Sequence, residues 1–194
     1  ARPYTAARNA WSLSIISNAY VKRMKIGIVG SGTMGAGIAQ VAAQAGHEVF
    51  LYDAQPQAGQ QALARIDQGL QKEVEKGRSS PTAVMATLQR IAWVDHLEKF
   101  RPCDWVIEAI VEDLVIKKEL FSRLEKVVSP SCLLATNTSS LSVSSIAASC
   151  EKPQRVLGMH FFNPVPLMQL VELVPAVQTD EQWLDWVKEE LKRW

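Results

Sequence analysis

Gly30-Ser31-Gly32-Thr33-Met34-Gly35 has the GxGxxG spacing that lets a backbone approach a phosphate. Gly30 suits a tight turn, Gly32 leaves room for a pyrophosphate, and Gly35 lets a following helix lie close to the preceding strand. The first N–H groups of such a helix lack internal partners and attract an anion. Asp53 follows Gly35 by 18 residues. At the end of a second strand, its carboxylate would accept hydrogen bonds from ribose hydroxyls and repel a 2′-phosphate. The combination reads as a dinucleotide site that selects NAD over NADP. Duller readings are an ordinary turn for the glycines and a helix cap or solvated strand end for Asp53. Strand, loop, helix and acid in register favour the dinucleotide.

The elements that must hold these residues follow from the hydrophobic pattern. Residues 25–29 (KIGIV) form a buried-strand run, and 33–45 a helix ending at Gly46 as its cap. Residues 47–53 form a second strand, and 56–76 a long solvated helix closed by Gly77. A helix over 79–89 carries Pro81 in its first turn. Short strands over 91–94 and 104–108, an amphipathic helix over 113–128 and a strand over 132–136 come next. A short helix over 142–149 and strands over 155–161 and 168–174 complete the series. Strands alternating with helices predict an α/β fold, a doubly wound Rossmann-type sheet that is mostly parallel. In residues 179–194, Thr179 and Gln182 have a capping-box spacing, and Trp183, Val187, Leu191 and Trp194 share one helical face. Such a stripe is a packing face, onto the domain or onto a neighbour.

The 194 residues are 47% hydrophobic and 21% charged, which excludes disorder and a disulfide scaffold. A formal net charge of +1 gives no field toward nucleic acid or an acidic membrane, so neither is an expected partner. No apolar run reaches the ~18 residues of a spanning helix. Cys103, Cys132 and Cys150 lack CxxC spacing, so no metal site is expected and a reducing compartment is. Residues 1–23 are rich in Ala, Ser and Arg and precede Met24. They read as an extension, either a leftover of cloning or a targeting-like segment. The expected organisation is this extension, a dinucleotide-binding domain over 24–178 and an amphipathic helix over 179–194.

Four blocks in order then resemble one family, the L-3-hydroxyacyl-CoA dehydrogenases, which include the 3-hydroxybutyryl-CoA enzymes. They are GSGTMGAGIAQVAAQAGHEV at 30–49, EAIVEDLVIKKELF at 108–121, NTSSL at 137–141 and GMHFFNPVPLMQLVEL at 158–173. The resemblance implies His160 as catalytic base, Glu172 as its paired carboxylate, and Ser139 as a hydroxyl that meets the substrate oxygen near the nicotinamide. It also implies cofactor contacts at Glu112, Lys117 and Asn163, and a looser coenzyme A contact at Lys76. An acyl-CoA substrate, a homo-oligomer and a cytoplasmic setting, or alternatively the mitochondrial matrix, come with it.

The implied chemistry suits the residue types. Oxidising a secondary alcohol removes its O–H proton as hydride leaves carbon, and imidazole is matched to that proton near neutral pH. A strand, a turn through Pro164 and Pro166 and a returning strand would bring Glu172 beside His160, fixing its tautomer. Against this, a lone histidine on an apolar strand is commonly a core residue, and Ser139 suits a turn or N-cap. Glu112 could be a charge at a helix start and Lys117 a solvated helix position. His47 and His96 read as surface histidines, and the cysteines as small core residues.

Full-length members of that family continue into a helical domain with dimer contacts and an active-site Asn in a GFxxNR-type segment. No such segment occurs in this sequence, so that C-terminal helical domain is expected to be absent. Two functions therefore compete: an NAD-dependent 3-hydroxyacyl-CoA dehydrogenase, and a nucleotide-binding module with little turnover acting as a structural or regulatory partner. A Rossmann enzyme for free 3-hydroxy acids ranks below both, since such enzymes rely on a catalytic Lys.

Overall fold

The computed structural model describes residues 4–7 and 23–194. The residues of the expected N-terminal extension at 1–3 and 8–22 lie outside the described residues. Strands β1 (Tyr4–Ala7), β2 (Lys25–Val29), β3 (Glu48–Tyr52), β4 (Ile91–Trp93), β5 (Trp105–Glu108), β6 (Leu133–Thr136), β7 (Val156–Phe161) and β8 (Leu170–Pro175) form one sheet. Its order is β1-β8-β7-β6-β5-β2-β3-β4. The six strands from β7 to β4 run parallel, while β8 is antiparallel to both β7 and β1. The doubly wound, mostly parallel prediction holds.

Composition explains the layering. β5 and β6 are buried throughout, as expected of parallel strands covered on both faces. Successive side chains alternate between two cores. Ile26, Ile28, Trp105 and Ile107 face one side, with helices α1 (Thr33–Gln44), α2 (Pro56–Glu75), α3 (Pro81–Leu88) and α6 (Glu181–Leu191). Val29, Val106 and Leu134 face the other, with α4 (Leu114–Val127) and α5 (Val143–Ala147). Predicted boundaries hold to within about two residues, because caps and glycines punctuate them. Ser80 caps α3, and Asp113 caps α4 by accepting from Val115 N and Ile116 N at 2.8 and 3.0 Å. Gly46 and Gly77 adopt positive φ after α1 and α2.

Four expectations need correction or completion. Tyr4–Ala7, placed in the extension, pairs antiparallel with β8, opposing Thr5 to Glu172. The capping box at Thr179 does not form. Asp180 is the N-cap of α6, while the Thr179 hydroxyl accepts from Ala176 N and donates to Val156 O, tying the turn to β7. His47 is no surface residue: it is fully buried, accepts a hydrogen bond from Met24 N and lies 5.8 Å from the Trp194 ring. Residues 179–194 pack within the chain, where Val187 and Leu191 are buried and Trp186 and Trp194 each lie 5.4 Å from Trp105. Of the two options for the tryptophan stripe, the domain itself is the one used.

Candidate functional site

All of the site's loops leave the sheet at the carboxyl ends of its parallel strands, where open α/β sheets bind ligands. Gly30 ends β2 at φ +98, with its N–H donating to Tyr52 O at 2.8 Å. A Cβ on Gly30 would lie 2.4 Å from Ala109 O, and one on Gly35 would lie 1.8 Å from Gly30 O. Both positions are therefore closed by backbone. A Cβ on Gly32 would meet nothing within 4 Å. Gly32 is the N-cap of α1 and supplies no side-chain acceptor, so the first N–H groups of the helix have no capping side chain.

Asp53 stands one residue beyond β3 and braces this loop. Its Oδ2 accepts from Ser31 N at 2.8 Å and Ser31 Oγ at 2.9 Å, and its Oδ1 from Gln55 N at 3.0 Å. Arg65 of α2, which the sequence reading passed over, donates to Ser31 O at 2.7 Å. Gly30, Ser31, Gly32, Asp53, Arg65 and Ala109 are among the walls of a cavity of about 710 Å3.

A second cavity of about 350 Å3 adjoins it and shares Ala109 and Ile110 as walls. Met34, Glu112, Lys117, Ser139, His160 and Asn163 line it. His160 and Glu172 are direct cross-strand partners in the β7–β8 register, with Nδ1 and Oε2 3.0 Å apart. A carboxylate accepting at Nδ1 leaves Nε2 as the nitrogen with a free lone pair. The Phe162 ring packs 4.5 Å from the imidazole. Thr33 opens α1 at a smaller neighbouring cavity with Arg65 and Asn163. Lys76, at the end of α2, pairs with Glu73 at 3.6 Å and walls none of these cavities.

The polar floor between the cavities was only partly visible in the sequence. Lys117, open there to a solvated reading, is fully buried and bonded to both Glu108 and Glu112. Glu112 accepts from the Thr138 and Ser140 hydroxyls, from Ser139 N at 3.3 Å and from Lys117 at 3.3 Å. Partial burial opposes its charge, but the Thr138 hydroxyl, the Lys117 ammonium and the Ser140 hydroxyl outweigh it and hold the carboxyl below its usual value. Glu108, Thr136, Thr138 and Asn137, whose Oδ1 accepts from Phe161 N at 2.9 Å, went unassigned. Their signal was position: each closes or follows an apolar strand at its carboxyl end.

The family model for "3-hydroxyacyl-CoA dehydrogenase, NAD binding domain" matches residues 25–194. The chain belongs to the 3-hydroxyacyl-CoA dehydrogenase family. It is 42% identical over 166 residues to the 3-hydroxybutyryl-CoA dehydrogenase of Clostridioides difficile, covering 86% of this chain and 59% of that protein. It is 40% identical over 185 residues to the mitochondrial hydroxyacyl-coenzyme A dehydrogenase of Sus scrofa, covering 90% and 59%. The crystal structure of 3-hydroxybutyryl-CoA dehydrogenase from Escherichia coli superposes with a TM-score of 0.85 at 40% identity. That match covers 88% of this chain and 37% of the other. The chain thus spans less than two thirds of each relative's length.

The residues present fit the cofactor of a 3-hydroxyacyl-CoA dehydrogenase NAD-binding domain. The open face at Gly32 and the uncapped start of α1 would hold the pyrophosphate. Asp53 would hold the adenosine ribose. Among the described residues no cluster of metal-ligand side chains occurs, and no helix is long and apolar enough to cross a membrane.

Proposed function

We propose that this domain serves the NAD-dependent oxidation of an L-3-hydroxyacyl-CoA to the 3-oxoacyl-CoA. The observation that carries the reading is the His160–Glu172 pair at 3.0 Å, with His160 on the wall of a cavity that adjoins the one at the glycine loop. His160 Nε2 takes the proton from the C3 hydroxyl as its C–O bond becomes a carbonyl. Glu172 fixes the ring's tautomer and stabilises the imidazolium that forms. Bound NAD would supply the hydride acceptor. Ser139, exposed on the same wall, donates to the substrate oxygen and keeps it facing Nε2. Glu112, Lys117, Asn163 and Met34 shape the nicotinamide end of the cofactor site. Ser31, Gly32, Thr33 and Asp53 hold its phosphates and adenosine, and Gly30 and Gly35 let the backbone of that loop close up beneath them.

For Lys76 the proposed contact with coenzyme A rests on the resemblance, and so does a homo-oligomer. Three unpaired, buried cysteines suit a reducing compartment, the cytoplasm or the mitochondrial matrix. The decisive experiment follows NADH loss with acetoacetyl-CoA, alongside NADH binding by titration. Turnover that disappears in His160→Gln while binding persists supports the dehydrogenase. Binding without any acetoacetyl-CoA reduction in the unaltered protein would instead favour the nucleotide-binding module.

A further inference from the structure

Among the described residues Glu108 is the only fully buried carboxylate. It sits at the carboxyl end of β5, and its donors come from three directions. Ile110 N donates to Oε1 at 2.7 Å, Thr136 Oγ1 donates to Oε2 at 2.7 Å, and the Lys117 ammonium bonds Oε1. Both of its oxygens are therefore met by donors alone. Lys117 in turn reaches Glu112 Oε2 at 3.3 Å, so one ammonium is shared by two carboxylates. Glu108 itself walls neither large cavity, whereas Lys117 and Glu112 wall the one that holds His160.

We propose that Glu108, acting through Lys117, is a positioning residue that keeps a surplus negative charge on this wall and thereby favours oxidised over reduced nicotinamide. The inference rests on the NAD reading above and deepens it. Counting formal charges, Glu108 and Glu112 contribute two negatives and Lys117 one positive, leaving one negative. For hydride to leave a carbon whose hydroxyl His160 deprotonates, the nicotinamide must enter the cavity that Glu112 and Lys117 wall. The oxidised ring carries a positive charge that the reduced ring lacks, so a fixed negative wall distinguishes the two states. With Lys117 and Glu108 out of water, screening is weak and the charge acts over several ångströms. A purely structural Glu108 would hold α4 against β5 and β6 without distinguishing the two redox states.

The test is a charge series read as the ratio of Kd for NADH to Kd for NAD+, measured by calorimetric titration. The unaltered wall and the Glu108→Gln/Lys117→Met double variant carry the same net charge. Glu108→Gln is one unit more positive, and Lys117→Met one unit more negative. The expected ratio falls about threefold or more in Glu108→Gln, rises by a similar factor in Lys117→Met, and returns close to the starting value in the double variant. Absolute affinities can drop throughout without affecting the outcome. Should Glu108→Gln fail to fold, because it leaves the buried ammonium with Glu112 alone, Lys117→Met and the double variant still decide the matter. A ratio unchanged across the folded variants would overturn the inference while leaving the NAD reading intact. Failure of the unaltered protein to bind either nucleotide would instead defeat the NAD reading and this inference with it.

Discussion

Asp53 uses three of its roughly four acceptor positions on Ser31 and Gln55, which leaves one on Oδ1 for a ribose hydroxyl. Its charge would repel a 2′-phosphate from the same place. NADH should therefore bind well ahead of NADPH, and Asp53→Arg should narrow that preference by about tenfold or more, a change of roughly 1.4 kcal/mol. Equal affinities in the unaltered protein would contradict the role given to Asp53. At the other end of the site, His160→Gln should lower acetoacetyl-CoA turnover by ~10²–10⁴-fold with NADH binding nearly unchanged. Glu172→Gln should lower turnover less, since the ring survives and an amide oxygen can still accept at 3.0 Å, but the charge that stabilises the imidazolium is gone. Loss of folding or of NADH binding in His160→Gln would make it a core residue after all.

The glycine loop separates two element-level demands that one motif conceals. Gly35 is required for packing, because a Cβ there would lie 1.8 Å from Gly30 O. Gly35→Ala should force α1 off β2 and lower stability by about 1–3 kcal/mol, read by chemical unfolding without cofactor. At Gly32 the packing makes no such demand, because nothing lies within 4 Å of an added Cβ, and the proposed demand is the ligand's. Gly32→Ala should unfold close to the unaltered protein yet lose NADH affinity by titration. If both variants behaved alike, the division between packing and binding glycines would be wrong. The α6 helix is a packing element of the same kind: Leu191, 1% exposed, should cost about 2–5 kcal/mol when cut to Ala.

At the scale of the molecule, acid should loosen the join between the sheet and its C-terminal segment. Burial, with a smaller contribution from Arg193 and opposed by Asp104, lowers the pKa of His47 to about 4 from 6.5. In the unfolded chain the imidazole titrates near its ordinary value, so between these two values the unfolded state binds more protons. Its contribution is complete above about 6.5 and is lost as pH falls toward about 4, amounting to about 3 kcal/mol at most. The urea midpoint should fall between pH ~7 and pH ~5, and His47→Asn should flatten that slope. Tryptophan fluorescence would follow the change, to which Trp194 contributes with its ring 5.8 Å from His47. An equal slope in both proteins would locate the acid sensitivity elsewhere.

How much of this was legible beforehand depended on whether the information was local. Alternating apolar runs, the glycine spacing, the helix-closing Gly46 and Gly77 and the first-turn Pro81 determine which segments are strands and helices, because each acts within a few residues. They also determine that the chain winds as a Rossmann sheet. The pairing of His160 with Glu172 was foreseeable as a strand, turn and return, and the register of β7 with β8 made it a contact. Only the tertiary structure decided that Lys117 is buried between two carboxylates, that His47 lies inside, and that Trp186 and Trp194 cover Trp105. Burial depends on what packs over a residue from elsewhere in the chain. A lysine on a helix or a histidine at a strand start reads the same whether water or another element lies above it.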